Sequence, residues 1–184
     1  MKDGFLKVAA ATPGIRVADP AYNAAAVMAQ FDEAAERGAK IIVFPELVLT
    51  GYTCGDLFLQ ELLLRRAAEE LLRFAGHTRG KDALCFVGLP VRRCGKLYNV
   101  AAAVQDGEIL AMIPKRYLPN YSEFYELRHF APGNIRPERF VFGGREIPFG
   151  SHILFESDAV TGLCVGAELL PEIYENVTDP KQYE

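Results

Sequence analysis

No stretch of this sequence approaches the roughly 18 consecutive apolar residues that a membrane-crossing helix needs. Its start, Met1-Lys2-Asp3-Gly4, leads into an apolar strand rather than a signal h-region. No membrane partner is therefore expected, and cytoplasmic residence is. Cysteine occurs only at Cys54, Cys85, Cys94 and Cys164, with no Cys-x-x-Cys pair, which argues against both a zinc site and a disulfide framework. The histidines, His77, His129 and His152, show no ligand spacing, so no metal is expected. Basic clustering is also missing. Lys and Arg total 20 against 24 Asp and Glu, for a formal charge of -4, and Arg65-Arg66 and Arg92-Arg93 read as solvated pairs. That balance excludes nucleic acid as an expected partner. Internal repeats, linkers and low-complexity segments are absent as well.

What is present is a half-hydrophobic chain of 184 residues, enough for one domain with its own core. Phe5 to Ala11 reads as a strand. Asp19-Pro20 supplies an N-cap and a first-turn proline for a helix whose apolar stripe is Ala24, Val27, Met28, Phe31 and Ala35, with Gly38 as its stop. Ile41 to Phe44 follows as a strand covered on both faces. The resulting strand-helix-strand unit predicts parallel neighbours and an α/β class. Asp56 is the expected cap of a second helix reaching Ala75, with a break near Leu62 and a face of Leu64, Ala67, Ala68, Leu71, Leu72 and Ala75. Ala83 to Val91 is a third strand, and Gln105-Asp106-Gly107 between Tyr98–Val104 and Glu108–Ile113 predicts a hairpin. Residues 117–133 read as an ordered loop with one short helix. A second hairpin turns at Gly143-Gly144, Ile153 to Glu156 is a short strand, and Gly162 to Ala167 is a buried one.

Lys40 to Asp56 organises the chain, because a buried strand there runs straight into Pro45 and Glu46. Proline ends the ladder by removing a donor, and a carboxylate follows at the strand's carboxyl end, where open α/β sheets gather ligands. The residues alone leave this reading and a solvated loop carboxylate both open.

A second reactive side chain stands in an equivalent place: Ile113-Pro114-Lys115 repeats the pattern of Phe44-Pro45-Glu46. With the Gly51-Tyr52-Thr53 loop between them, these segments resemble the nitrilase superfamily of carbon-nitrogen hydrolases, whose catalytic set is Glu, Lys and Cys. The stretches Leu49-Thr50-Gly51-Tyr52-Thr53-Cys54-Gly55-Asp56, Val87-Gly88-Leu89-Pro90, Gly95-Lys96-Leu97-Tyr98-Asn99 and the block from Pro114 to Glu126 are similar to the N-terminal glutaminase domain of glutamine-dependent NAD⁺ synthetases. The resemblance runs to about Glu168.

That resemblance implies a nitrilase-like α-β-β-α sandwich, incomplete at the C-terminus, with residues 1–168 as a partial carbon-nitrogen hydrolase domain and 169–184 as a divergent tail. An open sheet edge and exposed apolar surface are then expected, which favour association. It implies Glu46 as the general base and Lys115 as the cation facing the tetrahedral intermediate. Tyr52 and Tyr121 fall beside the glutamine pocket, and Glu126 falls where it could meet the substrate's ammonium end. For both tyrosines ordinary packing stays open. The implied partners are glutamine and either a second copy or a synthetase domain. No cofactor is implied for this chain, since ATP belongs to the family's synthetase domain, for which neither a counterpart nor a Ser-Gly-Gly phosphate loop is visible.

The departure is at the nucleophile. Where the family reads Val-Gly-Val-Glu-Ile-Cys-Glu-Asp-Leu-Trp, this chain has Val165-Gly166-Ala167-Glu168-Leu169-Leu170-Pro171-Glu172-Ile173-Tyr174. Leu170 takes the cysteine's place and cannot attack, and Pro171 restricts the turn beside it. An inactive glutaminase is expected. The alternatives are a pseudoenzyme or partner-binding module that keeps the Tyr52, Tyr121 and Glu126 pocket, or an enzyme with Cys164 or Cys54 as substitute nucleophile. At about 3.3 Å per residue, an extended chain puts Cys164 some 20 Å from position 170, so a buried strand thiol is the expectation there.

Overall fold

Asp19 and Pro20 start the first helix as the sequence predicts. The computed structural model describes residues 5–120 and 125–169. In it the Asp19 carboxylate accepts from the Tyr22 amide at 3.1 Å, and Pro20 fills a first-turn position where no amide donor is needed. The helix, α1 (Pro20–Glu36), gives way at Gly38, whose φ of 85° suits a residue without a Cβ. It joins β1 (Val8–Ala10) to β2 (Ile41–Val43), which pair in parallel from Val8↔Ile41 to Ala10↔Val43. β1 is shorter than predicted, and Phe5 stands 80% exposed beyond it.

The second helix differs at its start. Asp56 lies inside a 3-10 turn, Gly55–Leu59, and α2 (Glu61–His77) begins only after Gln60. The spread of leucines has this origin: Leu57 and Leu59 belong to the turn and are exposed, whereas Phe58 is buried. On α2 the buried face is Leu63, Leu64, Ala67, Leu71, Phe74 and Ala75. Leu72 falls off that face, Phe74 takes its place, and the helix continues through Gly76 to His77.

β3 (Leu84–Arg93) pairs in parallel with β2, and β4 (Lys96–Gln105) and β5 (Glu108–Pro114) follow as an antiparallel meander. Both of its two-residue turns have positive φ at both positions, Cys94 and Gly95 (49° and 76°) and Asp106 and Gly107 (46° and 84°). That geometry matches the twist of the strands it joins. The register shifts once: Ala103 faces Ala111 but Val104 faces Ile109, so Leu110 bulges out of the ladder. A short helix, α3 (Glu126–His129), leads to the hairpin of β6 (Glu138–Phe142) and β7 (Arg145–Phe149), giving the order β1-β2-β3-β4-β5-β7-β6.

α1 and α2 cover one face, where Phe31 and Phe74 meet edge-on at 5.4 Å above Val87, Leu89, Val100 and Met112. On the other face β8 (Leu154–Glu156) and β9 (Cys164–Gly166) form a small antiparallel sheet, and Phe155 meets Phe86 at 5.7 Å. Two β layers with helices outside one of them are therefore present, and an outer helical layer over β8 and β9 is not seen among the described residues. Two expectations need correction. Val43 is 44% exposed, so β2 is not covered on both faces, because the two-stranded layer does not extend over it. β9 is not buried either: Cys164 and Gly166 face outward and only Val165 turns in.

α1 and α2 are also tied by charge. His77 Nε2 lies 2.9 Å from Asp32 Oδ1, and Lys81 pairs with the same carboxylate. Burial pushes the Asp32 carboxyl up, but hydrogen bonds from Lys81 and His77 outweigh it and hold the group below its ordinary 3.8. A depressed carboxyl stabilises the fold above its unfolded value and loses that contribution as pH falls through its folded one. Asp32→Asn is expected to lower the urea midpoint slightly at pH 7, by under about 1 kcal/mol because the site is partly open. The gap should close as pH drops below 3.8. An equal gap at acid and neutral pH would count against this pairing.

Candidate active site

Glu46 is delivered by a tightly held turn. After Pro45, Leu47 takes a φ of 52°, unusual for a residue with a Cβ, and its carbonyl accepts from the amides of Thr50 (2.9 Å) and Gly51 (2.7 Å). The Leu49 amide then bonds the Gly88 carbonyl of β3 at 3.2 Å, so the turn lies directly on the sheet. Gly88 makes that approach possible. A Cβ there would stand 2.4 Å from the Leu47 nitrogen and 2.5 Å from the Pro45 oxygen.

Lys115 emerges from the end of β5. Its amide bonds the Asn99 carbonyl at 2.7 Å, and its own carbonyl accepts from Gly133 at 2.9 Å. A side chain at Gly133 would collide with Pro114, at 2.6 Å, so glycine is needed where the returning chain covers Lys115.

These two supports bring the charges together. Lys115 Nζ lies 3.1 and 2.9 Å from the two oxygens of Glu46, and 3.0 Å from Glu126 Oε1. Tyr52 donates its hydroxyl to that same Glu126 oxygen at 2.6 Å, and Asn99 Nδ2 donates to Glu46 Oε2 at 2.9 Å. Lys115 is 3% exposed, Glu126 5% and Asn99 not at all. Burial of the Tyr52 hydroxyl, reinforced by the Glu126 carboxylate, pushes its phenol well above the ordinary value, so it remains a donor. Water is nearly excluded from Lys115 and Glu126, and the ammonium is held by two carboxylates at once.

Glu46 also reaches outward. A cavity of about 330 Å³ lies between Val43, Phe44 and Phe86 on one side and Val165 to Leu169 on the other, with Glu46 in its wall. A carboxylate that contacts both a buried ammonium and an open cavity can exchange a proton with a group bound there. Of the residues singled out in the sequence, Glu46, Lys115, Tyr52 and Glu126 converge within hydrogen-bond reach, whereas Tyr121 and Leu170 lie outside the described residues. Asn99, Gly88 and Gly133 carry the site as well; Gly88 and Asn99 fall in the stretches that carry the resemblance, but none of the three was expected to have a role in the site. For Asn99 a signal existed, an amide inside the apolar run from Tyr98 to Val104.

The thiols stand apart. Burial pushes the Cys54 thiol up against the hydrogen bonds it makes, and pushes Cys85 well up, which keeps both protonated. Cys164 is exposed on β9 rather than buried. Among the described residues no cluster of His, Cys, Asp and Glu could hold a metal, and no helix is long and apolar enough to cross a membrane.

A carbon-nitrogen hydrolase family model matches residues 7–173. The glutamine-dependent NAD(+) synthetase of Mycobacterium tuberculosis is 36% identical over 171 residues, which is 93% of this chain and 25% of that protein. The Thermotoga maritima protein of the same name is 44% identical over 100 residues, 54% of this chain and 17% of that one. The chain thus spans between 17% and 31% of the length of the curated relatives it matches. Among solved structures, a glutamine-dependent NAD(+) synthetase from Cytophaga hutchinsonii aligns with a TM-score of 0.79 at 27% identity, over 88% of this chain and 27% of that one. An amidase from Nesterenkonia sp. shares the fold, with a TM-score of 0.62 at 23% identity over 80% of this chain and 56% of its own. The nitrilase-like architecture expected from the sequence is the one found, and the chain belongs to the carbon-nitrogen hydrolase family.

Proposed function

We propose that this chain is a glutaminase-type domain, of the kind that supplies ammonia in glutamine-dependent NAD⁺ synthetases, and that with Leu170 at the nucleophile position it does not hydrolyse glutamine alone. The observation that carries the reading is Lys115 Nζ lying 2.9 to 3.1 Å from both oxygens of Glu46 beside the cavity. In amide hydrolysis by such a set, the carboxylate takes the nucleophile's proton and the ammonium faces the oxygen that becomes negative as the tetrahedral intermediate forms. Glu126, buried and bonded to Lys115 and Tyr52, holds that ammonium in place; this accounts for its burial better than contact with a substrate ammonium group does. The resemblance makes Tyr52 and Tyr121 the residues expected beside the glutamine pocket. Glutamine is the ligand, and a synthetase domain or a second copy is the protein partner. Exposed Phe5, Val8 and Leu154 favour such association.

Ammonia release from glutamine tests the reading in wild type, Leu170→Cys and Glu46→Ala. None is expected from any of them, because restoring sulfur repairs one part and leaves Pro171 next to it in the sequence, and small misplacements cost about a hundredfold. Wild-type turnover abolished by Glu46→Ala would sink the inactivity and revive a substitute nucleophile. The open cavity beside Glu46 favours a second reading, a binding module that retains the pocket. Saturable glutamine binding by calorimetry without turnover would select it.

A further inference from the structure

Asn99 lies on β4 between Tyr98 and Val100, whose side chains join the helix-side core, so alternation turns its own side chain to the opposite layer. It is 0% exposed. An amide buried this deeply is unfavourable unless it finds partners at both ends. Here one end is matched: Nδ2 donates to Glu46 Oε2 at 2.9 Å, while Oδ1 meets no donor among the described residues. The amide's orientation follows from chemistry, since a half-turn would set Oδ1 against a carboxylate oxygen. If packing alone governed the position, an apolar residue of similar size would serve better. What the amide adds is a donor aimed at Glu46. Its main chain acts on the other charge, because the Asn99 carbonyl accepts the Lys115 amide at 2.7 Å. One residue therefore holds the side chain of Glu46 and the backbone of Lys115.

The two oxygens of Glu46 are left unequal. Among the described residues, Oε2 accepts from Asn99 Nδ2 and Lys115 Nζ, both at 2.9 Å, whereas Oε1 accepts only from Lys115, at 3.1 Å. Donors stabilise negative charge where they point, so a proton adds most readily to the oxygen with fewer of them. We propose that Asn99 is a positioning residue, which anchors Glu46 Oε2 and leaves Oε1 as the oxygen that takes a proton from a group bound in the adjacent cavity. The inference rests on the hydrolase reading above and extends it to a residue that touches no substrate.

Isotope-edited infrared spectroscopy tests it on the full chain carrying ¹³C-carboxyl glutamate, with the Glu46 band identified by its loss in Glu46→Gln. Asn99→Leu, which removes the donor and nearly keeps the volume, is expected to shift that band. Asn99→Ala should shift it in the same direction, and carries the measurement if Asn99→Leu does not fold, as judged by amide NMR. An unmoved Glu46 band in a folded Asn99 variant overturns the inference, because lost packing alone leaves the donors on Glu46 unchanged. The band is read without turnover, so failure of the hydrolase reading looks different. Ammonia release that survives Glu46→Ala, with the Asn99-dependent band intact, would leave the hydrogen bond but remove its chemical role, and so also overturns the proposal.

Discussion

Lys115→Met is expected to destabilise the fold by about 3–5 kcal/mol, the range for breaking a buried ion pair by removing one partner. The reason is what remains. Glu126, 5% exposed, and Glu46 would face each other with their shared ammonium gone, and their other donors among the described residues, Tyr52 and Asn99, are neutral. Methionine fills much of the lysine stem's volume, so lost packing adds little. Urea unfolding at pH 7 measures the loss. The double variant Lys115→Met/Glu126→Leu removes the buried carboxylate along with its partner and should recover a large part of it, because replacing a whole buried pair by apolar groups is often neutral. A single-variant loss under about 1 kcal/mol, the size of an exposed pair, would show that water screens the cluster.

Gly88→Ala is expected to act on the same site from the opposite side. The added methyl would lie within 2.5 Å of the Leu47 nitrogen and the Pro45 oxygen, both main-chain atoms on a turn already strained at Leu47. Neither can swing aside as a side chain would, so the turn must lift from β3 at a cost of about 1–3 kcal/mol or more. Glu46 moves with it. The expected result is a lower urea midpoint together with loss of the Lys115 to Glu46 contact, seen as a change in the Glu46 carboxylate infrared band. A stable Gly88→Ala protein with an unaltered Glu46 band would refute the account of how the turn is seated.

The elements were legible where local rules act alone. Asp19-Pro20, the Asp106-Gly107 turn and the apolar runs of β3 to β5 carry their capping, turn and burial chemistry in adjacent residues. Asp56 misled because a capping residue is also a good turn residue, and the scattered leucines behind it belonged to a 3-10 turn. Val43 and Cys164 misled because an apolar strand reads as buried whether or not another layer reaches over it. In the site, Glu46 and Lys115 were visible as charges placed after proline at strand ends. The roles of Gly88, Gly133 and Asn99 were not, because each acts on backbone or side chains that only the fold brings beside it.

The bulge at Leu110 determines where the ammonium is delivered. Beyond it, Ala111 and Ile113 face the β8–β9 layer and Met112 faces the helices, and Lys115 continues on the side of Ile113. Were Leu110 instead paired into a regular ladder, every residue after it would be one step out of phase, and Lys115 would be sent toward the helical core, away from Glu46. The address of the charge is thus written near the opposite end of the sheet, in the spacing between Gly107 and Ala111. Flattening the bulge with the chain length unchanged would alter no side chain of the site, yet would invert the face on which its ammonium arrives.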